Sequence, residues 1–214
     1  MPKGYKMGKI TVKCARVGMI GTNCYILYDE DIKEAILIDP GDNAQFLIRS
    51  IKEAGLKPVA ILLTHAHFDH IGAVSEIRES FDIPIYVGEK DKDMLADGNM
   101  NMGGFTVSLN EKDIILKGGE NLHIAGISID VISTPGHTKG GLCFYIKDAN
   151  ILFSGDTMFR YSWGRTDFPG GNARELMDSI HDKLLPLPEE TVVYPGHEGM
   201  TDIRTERITH EYTE

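Results

Sequence analysis

The sequence predicts an α/β fold, more narrowly α+β, in which two packed sheets carry helices on their outer faces. Three observations point there. Apolar, β-prone runs of strand length recur in both halves of the chain, helix-length amphipathic runs lie between them, and Gly or Pro marks most changes of period. With 214 residues, 42% apolar and 25% charged, the chain has the length and composition of one globular domain over 1–214.

In chain order, residues 10–17, 24–28 and 34–39 read as strands. Gly18 and Gly21-Thr22-Asn23 separate the first pair, which suggests an antiparallel meander ending in the turn Asp39-Pro40-Gly41. Residues 43–54 read as a helix with Phe46, Leu47, Ile51 and Ala54 on one face, stopped by Gly55. Residues 59–63 form a buried strand and 71–78 a helix; 83–87 is a short strand and 89–96 a short charged helix. The Gly-, Asn- and Met-rich stretch 97–112 has no period and reads as a loop. Strands follow at 121–124, 128–133, 142–146 and 151–153, then a helix over 173–184, a strand at 191–194 and a capped helix from Thr201.

Between the strand 59–63 and the helix 71–78 stands Thr64-His65-Ala66-His67-Phe68-Asp69-His70. Imidazole and carboxylate both bind borderline divalent metals, imidazole at about 2.0–2.1 Å from zinc. Along an extended turn alternate residues point the same way, so His65 and His67 can share one metal while Asp69 and His70 face a second. Asp69 also suits the N-cap of the following helix. Capping leaves the three His unexplained.

Three later strand ends carry the same chemistry. They are Pro135-Gly136-His137, Ser154-Gly155-Asp156 and Pro195-Gly196-His197. In each, a Gly-containing turn is followed by one ligand-type side chain. Five of the eight His fall in these segments and the 64–70 stretch; His123, His181 and His210 do not, and read as surface or structural residues.

Together these segments resemble the metallo-β-lactamase superfamily: His-x-His-x-Asp-His, then a His, an Asp and a His, each after a strand. The likeness runs from Asp39-Pro40-Gly41 to His197. It implies a four-layer αββα sandwich with metals at one edge. It assigns His65, His67 and His137 to one metal and Asp69, His70 and His197 to the other, with Asp156 bridging. Asp39 would orient the ligand loop through hydrogen bonds. Within the superfamily the chain is similar to the short, single-domain glyoxalase II-like (hydroxyacylglutathione hydrolase-like) branch, on Gly155-Asp156-Thr157-Met158-Phe159 and Gly164-Arg165-Thr166-Asp167-Phe168-Pro169-Gly170-Gly171. Glutathione-thioester hydrolases carry a Lys matching Arg165, a Tyr matching Asp167 and a C-terminal helical domain. A chain ending soon after His197 is expected to lack that domain. The Gly-Arg-Thr-Asp-Phe stretch is shared with persulfide dioxygenases.

The resemblance therefore implies a metal-dependent hydrolase of a thioester, using a hydroxide that bridges two metals and is held in line by Asp69. The alternative is a mononuclear iron persulfide dioxygenase using His65, His137 and Asp156; an esterase or lactonase of the same fold stands behind both. The cofactors expected are two divalent ions, zinc first and iron or manganese next, since the ligands are all N and O. Arg165 is expected to anchor a carboxylate on the thiol carrier, or else to pair with Asp167. The substrate expected is a small anionic thioester. The formal net charge of -10 argues against nucleic acid, and no run is apolar enough for a membrane partner. Cys14, Cys24 and Cys143 lie outside any Cys-x-x-Cys and read as reduced thiols. Met1-Pro2-Lys3 leads into no signal region, so a cytoplasmic location is expected.

Overall fold

The computed structural model describes residues 10–211. Residues 1–9 and 212–214, and with them the reading of the N-terminus, lie outside the described residues. The first sheet contains β1 (Ile10–Val17), β2 (Thr22–Asp29), β3 (Glu34–Ile38), β4 (Lys57–Leu62), β5 (Ile85–Gly88) and β6 (Ile114–Leu116), in that spatial order. Its first three strands form the expected antiparallel meander, and the rest are added in parallel. The second sheet comprises β7 (Asn121–Ile124), β8 (Ile127–Ser133), β9 (Leu142–Ile146), β10 (Ile151–Gly155), β13 (Val192–Pro195) and β14 (Thr201–Asp202). A small hairpin, β11 (Met158–Phe159) and β12 (Ser162–Trp163), stands apart.

Alternation along the central strands produces three cores, and hence four layers. Side chains on a strand point to opposite faces in turn. On β2, Tyr25 and Leu27 enter the core between the sheets, while Cys24, Ile26 and Tyr28 enter the core under the helices of the first half. On β9, Leu142, Phe144 and Ile146 face the central core, while Cys143 and Tyr145 face the helices of the second half. Because both faces are covered, these strands are apolar throughout. Phe144 and Phe153 are fully buried in the centre; truncating either to Ala would cost about 3–5 kcal/mol.

The helices are α1 (Ala44–Glu53), α2 (Phe68–Ile71), α3 (Val74–Phe81), α4 (Lys92–Leu95), α5 (Ala173–Ser179) and α6 (Ile203–Glu211). The face expected for α1 is corrected. Ala44, Leu47, Ile48 and Ile51 are buried, whereas Phe46 is 56% exposed and Ala54 lies at the exposed C-cap. The buried set has the i, i+3, i+4, i+7 spacing of one helical face, which Phe46 does not share. The helix expected over 71–78 is two helices: the chain breaks at Gly72, where the Ala73 N–H is diverted to Pro40 O at 3.0 Å. Asp69 is therefore inside α2 and is not an N-cap; His67 holds that position. At the start of α5, Asn172 caps by accepting from the Arg174 and Glu175 N–H groups, and residues 180–184 continue it as a π-helical turn. Among the described residues, no helix is long and apolar enough to cross a membrane.

Candidate metal centre

The strand directions bring the C-terminal ends of β3 and β4 in one sheet, and of β8, β10 and β13 in the other, to one edge. Asp39 follows β3, the 64–70 stretch follows β4, and His137, Asp156 and His197 follow β8, β10 and β13. All seven candidate ligands meet there. His65, His67 and His137 offer ligand atoms within 4.8 Å of one another, as do Asp69, His70 and His197, and also His65, His70 and Asp156. Asp156 lies between the groups: Oδ1 is 3.4 Å from His70 Nε2, and Oδ2 is 3.6 Å from Nε2 of both His137 and His197. Asp69 Oδ2 stands 3.1 Å from His197 Nε2 and 3.3 Å from His70 Nε2. Gly196 permits this closeness, because a Cβ there would lie 2.2 Å from Asp156 Oδ1.

Neighbouring hydrogen bonds settle which imidazole atoms face inward. Asp39, in a left-handed conformation with φ 51, accepts from the Thr64 N–H (2.8 Å), the Thr64 hydroxyl (2.6 Å) and His70 Nδ1 (3.0 Å). With its proton given to Asp39, the Thr64 hydroxyl accepts from His65 Nδ1 at 3.1 Å. His137 Nδ1 donates to Arg165 O at 2.7 Å. The Nε2 atoms of these rings are thereby turned to the centre, that of His70 between Asp69 and Asp156 and that of His137 2.9 Å from His67 Nδ1. His65 Nε2 and Asp156 Oδ1 are buried there with no hydrogen-bond partner. Buried acceptors facing one another without a donor are costly, and a divalent cation is the group that satisfies them. The donor set thus fits the metal expected.

Charge divides the centre. Burial, then the imidazoles of His70, His137 and His67, holds His65 well below the usual imidazole range. Burial, His137 and His70 push His67 down to about 4. Both rings are neutral at pH 7. Burial works against charge at His70 as well, but the carboxylates of Asp156, Asp39 and Asp69 outweigh it and raise that group. At Asp69, burial is outweighed by the His70 charge and by hydrogen bonds from His197 and His70, and the carboxyl is held below its ordinary range.

The centre floors an open cavity of about 530 Å³, whose walls include Ile20, Phe68, Met102, Phe159, Trp163 and Phe168. The sequence left Met102 in an unassigned loop and did not single out the hairpin that supplies Phe159 and Trp163. Arg165 also lines the cavity. Its guanidinium makes two 2.7 Å bonds to Asp167 and lies 3.9 Å over the Phe168 ring, with Arg165 and Asp167 side chains 57% and 64% exposed. The pairing weighed against the anchor role is therefore present, in a form that solvent screens. Sequence reasoning also missed Thr22 and Asn23, which resemble ordinary turn residues. The Thr22 hydroxyl donates to Asp69 Oδ2 at 2.8 Å, and Asn23 Nδ2 donates to Pro195 O and Glu198 O at 3.0 and 3.1 Å. His123, His181 and His210 stay outside the centre, and His210 packs between His181 and Trp163.

The sequence profile of the metallo-beta-lactamase superfamily matches residues 17–197. The chain belongs to this superfamily. Over 195 residues it is 44% identical to "Probable metallo-hydrolase YqgX" of Bacillus subtilis, covering 89% of this chain and 92% of that protein. It is 34% identical over 196 residues to "Hydroxyacylglutathione hydrolase GloC" of Haemophilus influenzae, with the same shares covered. Two solved structures are similar throughout. BLEG-1 B3 metallo-beta-lactamase superposes with a TM-score of 0.88 at 43% identity, over 92% of this chain and 97% of the other. TTHA1623 in a di-iron-bound form superposes with a TM-score of 0.81 at 35% identity, over 92% and 98%. The four-layer sandwich and the family expected from the motifs are both shown, and the superfamily makes the chain a metallo-hydrolase whose centre suits divalent metal.

Proposed function

We propose that the protein hydrolyses a thioester, in the manner of glyoxalase II, with two divalent metals. His65, His67 and His137 would hold one, Asp69, His70 and His197 the other, and Asp156 would touch both. The observation that carries this reading is the pair of ligand groups around Asp156, their orphaned acceptors turned to the floor of an open, largely apolar cavity. Bound divalent ions supply Lewis acidity toward a carbonyl oxygen and lower the pKa of water. The chain's own residues do the rest. Asp69, fixed by Thr22 and His197, orients the attacking water by accepting its hydrogen bond. The aromatic and aliphatic walls seat the acyl group and exclude solvent. Arg165 draws the anionic end of the thiol carrier to the rim. A thiolate leaves without a proton, so the cavity needs no further acid.

The mononuclear iron dioxygenase of a persulfide keeps the same seven residues and stands as the alternative; the 34% likeness to a protein named hydroxyacylglutathione hydrolase supports the thioester reading. The likeness to a structure named as a B3 metallo-beta-lactamase supports a second reading, hydrolysis of a β-lactam. Three assays on one metal-analysed preparation separate these readings: release of glutathione from a hydroxyacylglutathione, opening of a β-lactam, and oxygen uptake with glutathione persulfide. About two metals per chain with thioester cleavage dominant is the expected result. A single iron with oxygen uptake, or β-lactam opening as the faster reaction, would overturn the thioester reading.

A further inference from the structure

Asp91 lies just after β5, fully buried, and has no part in the chemistry above. An Asp at this place reads as the N-cap of α4, yet its side chain makes no capping bond. The carboxylate turns instead toward the metal centre. Oδ2 accepts from the Thr138 hydroxyl at 2.6 Å, and Oδ1 accepts from the Gly140 N–H at 2.6 Å. Thr138 directly follows His137. One side chain, at the end of a strand of the first sheet, therefore grips the turn by which the second sheet supplies its imidazole to the three-ring group. The packing around it is tight: a Cβ on Gly140 would lie 2.4 Å from Asp91 N and 2.6 Å from Oδ1.

We propose that Asp91 is a positioning residue for the three-imidazole group, tying the end of β5 in the first sheet to the His137-Thr138 turn of the second and so setting where the His137 ring stands against His65 and His67. The inference rests on the two-group reading of the centre. Two donors converge on Asp91, one on each oxygen, and only an ionised carboxyl accepts at both without presenting a donor of its own. An amide in its place either sets an N–H against the Gly140 N–H or forces the Thr138 hydroxyl to reverse from donor to acceptor. A buried group that merely filled space would not need to be an acceptor throughout. Partners one step beyond the metal change its affinity by about 10–100-fold when altered, and a spacing device should act on its own group alone.

The test is metal titration against a chelator, with melting temperature recorded for each variant. Wild type should bind two ions. Asp91→Asn should bind one ion as before and the other roughly 10–100-fold more weakly. His197→Ala added to that variant should remove the ion that remains, whereas His67→Ala added to it should leave that ion in place. Unchanged affinity for both ions in Asp91→Asn, or loss of the ion that depends on His197, overturns the proposal. If Asp91→Asn does not fold, Thr138→Val removes one of the two bonds. It should weaken the same ion, with Thr138→Ser restoring it, and unchanged affinity in Thr138→Val would again refute the role. A wild type that binds fewer than two ions overturns the two-group reading, and this inference falls with it; that outcome is distinct from a two-ion wild type that ignores Asp91.

Discussion

The two ligand groups are built on opposite electrostatic plans. His65, His67 and His137 form an all-imidazole group whose members His65 and His67 are kept neutral by burial and by one another. Asp69, His70 and His197 form a group pervaded by carboxylates: Asp39 and Asp156 lie beside His70, and Asp69 lies beside both His. Neutral rings cost little to bury but attract a cation weakly at long range, while buried carboxylates attract one strongly and are costly without it. The supports differ accordingly. The imidazole group is fixed by the Arg165 carbonyl and the grip of Asp91; the acidic group is fixed by Asp39, Thr22 and Asn23. The two sites proposed above would thus be tuned separately, which four variants should reveal.

Asp156→Ala should have the largest effect, because its carboxylate faces both groups. Both metals should be lost on purification, with activity falling beyond the roughly 10–100-fold of an outer-shell change. Mass-spectrometric metal counts decide this, and a variant that keeps two metals would break the bridging role.

Asp39→Ala comes next. It strands the Thr64 N–H, the Thr64 hydroxyl and His70 Nδ1 in a buried setting, and removing one partner of such a network costs about 3–5 kcal/mol. Denaturant unfolding should show that loss, and metal affinity should fall at both groups, since Thr64 also orients His65. An unchanged midpoint would show that water takes over the role.

Asn23→Ala sharpens the comparison most directly. The Asn23 amide nitrogen donates to the loop bearing His197, while its oxygen accepts from Cys14 Sγ, away from the imidazole group. Affinity for the ion of the acidic group should fall about 10-fold, with the other unaffected. Parallel losses at both groups would show that they are not independently supported.

Arg165→Ala should change metal content least, because His137 is held by the Arg165 backbone carbonyl rather than its side chain. A charge contact that solvent screens is weak, so KM for an anionic thioester should rise by only a few-fold with kcat nearly constant, and a neutral thioester should not respond. A hydrogen bond from Arg165 holds the Asp167 carboxyl down to about 2. The pair is thus present above the ordinary carboxyl range and is lost only as pH falls toward that value, so the KM effect should be equal at pH 5 and pH 8. A changed metal count would show that the side chain, not the carbonyl, supports the imidazole group.

The residues that cluster at this edge were legible because each segment follows an apolar strand and because four of them crowd into six residues. Apolar runs of strand length in both halves, with amphipathic runs between them, likewise pointed to two sheets covered by helices. What failed was local and short. Strands β11, β12 and β14 have two residues each, too few to show a period, and three-residue β6 escaped as well. Phe46 was placed inside because bulk was favoured over spacing. Asp91 and Asn23 were invisible for a different reason: each has the residue type of a local cap or turn, and only tertiary folding directs it to a distant loop.

Each ligand group draws members from both sheets, and His65 and His197 lie far apart along the chain. Closing so long a loop is entropically costly and must come late in folding. A cation at this edge would therefore act as a fastener on sheets already docked, not as a nucleus for them. It would stabilise the native state by mass action, by about 2.7 kcal/mol at a hundredfold excess over its Kd. Chelation would first loosen the edge where the strands end. Amide exchange should quicken around residues 64–72 and 195–199 well before it quickens in the Phe144–Phe153 centre, so that the metal sets the order in which the protein comes apart.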